Sequence, residues 1–371
     1  MRIAFYAPLK SPNHAVPSGD RRIGRLIGRA LELAGHDVVL ASEYRSFCRE
    51  ASFDDQQKIA AEGEREAEAI ASAWEGAVPQ AWITYHLYYK APDWIGPRLA
   101  RKWGIPYLAV EASFAPKRAG GPWDFNHRQV ERAIAAADAL VCLNPNDRAC
   151  LEPIATGQLF DLPPFLDAAP FQDSKLTRQS IAAKYGLDGL APWLIAVGMM
   201  RSGHKHQSFV QLARALETIA IIPWQLLVVG DGPMRAEVER EFAAVAGRLV
   251  WLGVLDEPAL SELYAAADLM TWPAEREALG MAMLEAQAAG LPVVAGRTDG
   301  VPAIIASNQT GILTTPGHTR QFGNAVRSLL QDRPRSKRLR SAAREKVLRR
   351  HSLETAACML NSILSEVTCR K

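Results

Sequence analysis

Two carboxylates, Glu277 and Glu285, stand with seven residues between them, and Gly280 lies in that interval. From Ala282 to Ala288 the residues are strong helix formers, and Gly290 followed by Pro292 closes the run, as a left-handed cap and a residue that forbids continuation would. The pattern predicts a helix beginning near Gly280, with Glu277 in the loop just before it. A helix start presents free backbone N–H groups and the positive end of a dipole, which together suit a phosphate. Glu285 lies five residues past Gly280, roughly 7 Å along the axis at about 1.5 Å per residue. The expected site is an anion cradle lined by Leu279, Gly280, Met281 and Ala282, with a hydroxyl-binding carboxylate on each side. A nucleoside diphosphate sugar has that sequence of groups: ribose, diphosphate, hexose.

Other residues of the second half suit the same ligand. Gly198 ends an apolar strand, and Arg201 and Lys205 follow in what reads as a loop ahead of a helix running through Glu217. Two cations there would act with the helix dipole on a diphosphate. His204 and His206 flank Lys205, but no third ligand is apparent nearby and a metal is not expected. Gly230-Asp231-Gly232-Pro233 marks a strand-to-helix turn. In the first half, His86, Glu111 and Ser113 fall at the carboxyl ends of strands, the edge at which parallel sheets meet ligands. Ser18-Gly19-Asp20 joins the first strand's loop to a helix over 21–34, and an ordinary turn with an N-cap accounts for the same residues equally well.

These residues need a frame. At 371 residues the chain is long for one core, and two domains are expected. Strand-like apolar runs alternate with helical ones throughout, which implies parallel sheets covered on both faces, an α/β protein. The formal net charge is only +3, too small a field to call for nucleic acid. The five scattered cysteines form no C-x-x-C pair, arguing for a reducing cytosol and against a disulfide framework or zinc site. The first apolar run is too short for an export signal and no stretch is long enough to cross a bilayer, so a cytoplasmic location is expected. Residues 333–350 carry nine Arg or Lys and one acid, Glu345. Most such runs are solvated helix faces; a minority touch anionic lipid, which leaves peripheral contact with an anionic membrane open.

With strand Ala267–Pro273 before it and GLPVVAGRTDGVPAII after it, the Glu277/Glu285 stretch resembles the retaining GT-B glycosyltransferases of family 4. The resemblance covers nearly all of the second half and is mainly topological in the first. It implies two Rossmann-like domains facing a cleft: 1–165 for the acceptor, 166–352 for the donor, and 353–371 as a helix crossing back to the first. It implies transfer of a hexose-type sugar from a UDP- or GDP-type donor to a saccharide or lipid-linked acceptor, with no other cofactor and no metal. By resemblance Glu277 reaches the donor sugar, Glu285 the ribose, Arg201 and Lys205 the diphosphate, and Gly253, Val254 and Leu255 the base. Gly198 and Gly230 lie beneath the nucleotide, while Gly19, Asp20, His86, Glu111 and Ser113 line the acceptor side. Two departures stand out: Met199 occupies the usual Arg place, and Glu111 the place of a histidine. They keep a non-catalytic sugar-nucleotide-binding protein in view beside a sugar-nucleotide epimerase. A nicotinamide-dependent dehydrogenase is disfavoured because no G-x-G-x-x-G follows the first strand.

Overall fold

The computed structural model describes residues 1–16, 18–172 and 176–370; Pro17, in the loop ahead of Gly19, lies outside them. The chain divides into two compact units, Met1–Pro163 with Leu353–Lys371, and Pro164–Ser352.

The first unit runs β1 (Arg2–Tyr6), α1 (Gly19–Leu33), β2 (Asp37–Ser42), α2 (Phe53–Ala73), β3 (Ala81–Leu87), α3 (Gly96–Trp103), β4 (Tyr107–Ala112), α4 (Asp124–Ala136), β5 (Ala139–Cys142), α5 (Pro145–Leu151) and β6 (Gln158–Asp161). Its six strands are parallel in the order β2-β1-β3-β4-β5-β6. Every residue of β4 and β5 is buried, which is why those strands read as unbroken apolar text and not as an alternation. Trp82, Tyr6 and Tyr107 fill the core beneath them.

The second unit runs α6 (Arg178–Tyr185), β7 (Trp193–Val197), α7 (His204–Glu217), β8 (Gln225–Val229), α8 (Arg235–Glu241), β9 (Leu249–Gly253), α9 (Glu257–Ala266), β10 (Leu269–Trp272), α10 (Met281–Ala288), β11 (Val293–Gly296), α11 (Val301–Ile304), β12 (Gly311–Thr314), α12 (Thr319–Gln331) and α13 (Arg333–Arg350). Its parallel order is β12-β11-β10-β7-β8-β9. The chain then returns to the first unit as α14 (Leu353–Thr368), which packs on α1.

Strand order fixes where ligands can enter. In the first unit successive connections diverge from β1, to β2 on one side and to β3 on the other. In the second they diverge between β7 and β10. In open parallel sheets the edge beyond the carboxyl ends of the strands at such a switch point is where ligands bind. The loops after β1 and β3, and after β7 and β10, are therefore where a candidate site is sought.

Three local details refine the sequence reading. The helix after Gly230–Pro233 is short, Arg235–Glu241, and continues only as a 3-10 stretch because Val245 leaves helical geometry. Gly19 is the first residue of α1, behind the Ser18 cap, with open space around it, so no close backbone approach calls for glycine. The basic helix α13 is not simply a solvated face. Arg340 donates to the carbonyl of Ala267, Arg344 to that of Gln172, and Lys346 to those of Ala303 and Ile304, so three of its cations close off orphan carbonyls of their own unit.

Candidate active site

In the second unit the loop after β10 is bent by backbone strain. Ala274 and Arg276 have φ of 59° and 51°, a left-handed conformation that costs a non-glycine residue about 1–3 kcal/mol. Tethers on both sides hold it. Ser208 on α7 accepts the amide of Glu275 at 2.9 Å, and Gln211 donates to the Glu275 carboxylate at 2.5 Å. From the other side Thr298 donates to the carbonyl of Ala274, and the Gly300 amide donates to that of Glu277 at 3.2 Å.

These tethers present Glu277 to α7. Its carboxylate pairs with the Lys205 ammonium and accepts the Trp272 indole N–H at 3.2 Å. Lys205 lies in the first turn of α7, not in the preceding loop as its sequence suggested, so the turn of the helix fixes its direction. The ammonium also sits 5.3 Å from the Trp272 ring centre. Arg201 is exposed, and no ion pair joins it to any described residue.

Gly280 is the N-cap of α10, with φ 67°. Its carbonyl accepts the amides of Met283 and Leu284 at 2.9 and 3.1 Å. The amides of Met281 and Ala282 stand ahead of the first helical bond and have no backbone partner among the described residues. Leu279, Met281 and Ala282 are partly exposed around this helix start.

The two carboxylates differ in exposure. The Glu277 side chain keeps 19 % of its exposure. Glu285 is buried to 3 % and accepts the Tyr264 hydroxyl at 3.3 Å.

Glycines let the neighbouring strand ends touch. A Cβ on Gly230 would sit 2.1 Å from the carbonyl oxygen of Gly198, and one on Gly198 would sit 2.8 Å from the Trp272 ring. The Gly230 amide donates to Gly253 at 2.7 Å. Beside this floor Met199 and Val254 are exposed to 49 % and 77 %, with Leu255 partly covered.

In the first unit His86 and Glu111 stand at one level of adjacent strands, between the Tyr85–Val110 and Leu87–Ala112 pairs. Both are left-handed, with φ of 59° and 57°. The His86 Nδ1 meets Asp20 Oδ1 at 3.0 Å, which brings together the loops after β1 and β3 at the switch point. Burial disfavours the charged imidazole, but Glu111 and Asp20 outweigh it and raise its pKa. Burial raises that of Glu111 despite His86 nearby. For Asp20 burial is overcome by the bond to His86, which lowers its pKa. Ser113 donates to Asp147 at 3.2 Å. Asp20, His86, Glu111 and Ser113 thus converge, while Gly19 contributes only the helix start.

Several participants are not apparent from sequence. Trp272 and Tyr264 look like core aromatics, and Ser208, Gln211 and Glu275 look like ordinary helix or loop residues. Only their spacing from Lys205 and Glu277 hints at them. Asp147 lies on α5, a short helix that periodicity does not reveal.

Residues 191–332 match the family described as Glycosyl transferases group 1. Over 124 residues the chain is 39% identical to the sulfoquinovosyl transferase SQD2 of Arabidopsis thaliana, covering 33% of this chain and 24% of that protein. The aligned part spans about a quarter to a half of the first curated relatives it matches. The sucrose-phosphate synthase structure from Thermosynechococcus elongatus superposes with a TM-score of 0.77 at 21% identity, over 100% of both chains. HepE of Anabaena in complex with UDP-glucose does so with a TM-score of 0.72 at 16% identity, over 99% of this chain and 100% of that one. The fold is that of the GT-B glycosyltransferases.

Proposed function

From a GT-B fold whose residues 191–332 carry a group 1 glycosyltransferase domain, we propose that this protein transfers a hexose-type sugar, with retention, from a UDP- or GDP-sugar to a saccharide or glycolipid acceptor. The observation that carries the reading is the Lys205–Glu277 pair standing at the switch point of the sheet that also presents the start of α10. Lys205, Arg201 and the amides of Met281 and Ala282 meet the diphosphate. As the bond from the sugar carbon to the phosphate oxygen breaks, negative charge collects on that oxygen. Fixed cations and amides stabilise that charge without reorganising. Glu277, once the diphosphate competes for Lys205, accepts hydroxyls of the transferred sugar, and Glu285 with Tyr264 holds the ribose edge. The acceptor oxygen bonds to the sugar carbon and its proton leaves to the departing phosphate. Asp20, His86, Glu111 and Ser113 of the first unit bind the acceptor.

The test is a donor screen without acceptor. The protein is incubated with UDP-glucose, UDP-galactose, UDP-N-acetylglucosamine and GDP-mannose, and nucleoside diphosphate release is followed beside thermal shift. Slow release from one donor is expected. Stabilisation without release from any of them would favour a sugar-nucleotide sensor, and neither effect would end the proposal.

A further inference from the structure

We propose that the switch-point crevice of the first unit binds an acceptor ring carrying a protonated amine, held by the Glu111 carboxyl with Asp20 and Asp147 around it. The inference rests on the transferase reading for calling the ligand an acceptor, and on the first unit alone for its chemistry. Glu111 is 91 % buried, since only 9 % of its surface stays exposed. The Tyr85 hydroxyl bonds the carboxyl, but the Glu111 Oε2 has no hydrogen-bond partner among the described residues. A buried carboxylate oxygen left unsatisfied costs about 1–3 kcal/mol or more, and the left-handed backbone that carries it adds to that cost. Such a group persists where a ligand completes it.

What completes the carboxylate form donates a hydrogen, and the surrounding charge says which donor. The charged groups that weigh most on Glu111 are His86, Asp20 and Asp147. Lys10 acts on Asp20 and Arg45 on the outlying Tyr88. Acids outnumber the imidazolium whether or not Glu111 itself is ionised. A hydroxyl supplies the hydrogen but leaves the excess charge. A phosphate or carboxylate supplies neither. An ammonium supplies both, as a charge-assisted hydrogen bond. Tyr88, whose ring lies 5.3 Å from that of His86, adds a partly exposed aromatic surface that attracts a cation. A bound metal ion is not the alternative, because no three His, Cys, Asp or Glu among the described residues are grouped to hold one.

Equilibrium binding to the full chain tests this with three matched probes at a pH where the amine is charged: methyl glucosaminide, methyl glucoside and glucose 6-phosphate. The amine is expected to bind at least about tenfold more tightly than the neutral sugar, the scale of one charge-assisted bond, with the phosphate weakest. Glu111→Gln should remove most of that preference. Asp20→Asn, a change at a more exposed position, should reduce it too and serves if Glu111→Gln does not fold. Equal binding of amine and neutral sugar, tightest binding of the phosphate, or an amine preference untouched by both variants would overturn the proposal. Nucleoside diphosphate release by the same preparation reports separately on the transferase reading, so the two can fail independently.

Discussion

The two sheets of this chain have a switch point each, in different strand orders, and the side chains gathered at the two points differ in charge. Beyond β7 and β10 a cation, Lys205, is answered by Glu277, and the loop that holds Glu277 is tethered from both sides. Beyond β1 and β3 the excess is acidic, the buried Glu111 has an oxygen without a partner among the described residues, and the left-handed backbone falls on His86 and Glu111 themselves. The fold supplies a crevice twice, and the side chains placed there decide what enters it. On the readings proposed above, one would take an anion and the other a donor of hydrogens.

The sharpest way to break the contrast is through glycine. At Gly230 a Cβ would lie 2.1 Å from a backbone oxygen, and φ is 123°. Backbone strain and overpacking of about 1–3 kcal/mol each then add. Gly230→Ala should therefore destabilise the second unit by about 3 kcal/mol or more in urea unfolding. Gly19→Ala, in open space at a helix start, should stay within about 0.5 kcal/mol of wild type. Equal costs would mean that the close approach of β7 and β8 has no energetic weight.

Next in size is Lys205→Ala. It removes the cation that faces Glu277, and the rate of donor turnover should fall by about two orders of magnitude, the scale of one lost charge stabiliser. Lys205→Arg should recover part of the loss, since charge returns with different geometry. Turnover within about threefold of wild type in Lys205→Ala, well short of the expected loss, would place the diphosphate elsewhere.

Much of the second unit was legible because its site residues are types that chemistry requires at a spacing that a strand, a loop and a helix impose. Glu277, Gly280 and the helix that follows are legible in the sequence itself. The asymmetry of the carboxylates is not, because Tyr264 reaches Glu285 across 21 residues and nothing local announces that contact. Lys205 was legible as a cation but not as a helical one, since the turn at Gly203, φ 83°, starts α7 earlier than residue preferences suggest. In the first unit His86 and Glu111 could be placed at strand ends. Their standing at one level depends on the register of β3 with β4, a long-range property. The fate of α13 was hidden for a similar reason: a basic run looks solvated until the carbonyls it closes are known.

The gentlest test is pH, where the two units should respond with opposite sign. His351, in the second unit, is buried and hydrogen-bonded to the carbonyl of Pro164 at 2.7 Å. Burial lowers its pKa from 6.5 to about 4. The unfolded chain takes up a proton that the folded one refuses, so stability is lost as pH falls from about 6.5 toward about 4. The loss reaches up to about 3 kcal/mol at the low end. In the first unit burial raises Glu111 from 4.5, and Glu111 with Asp20 raises His86 from 6.5 against its own burial. Both keep their protons better when folded. Their contribution is complete below those starting values and is lost as pH climbs through the raised ones, above 4.5 for Glu111 and above 6.5 for His86. Hydrogen exchange corrected for intrinsic rates, read on β4 and on β11 between pH 5 and pH 8, should show protection falling with pH in the first strand and rising in the second. Glu111→Gln should flatten only the first slope, and His351→Gln only the second. Parallel slopes would show that the charges buried in the two units do not differ in the way their crevices do.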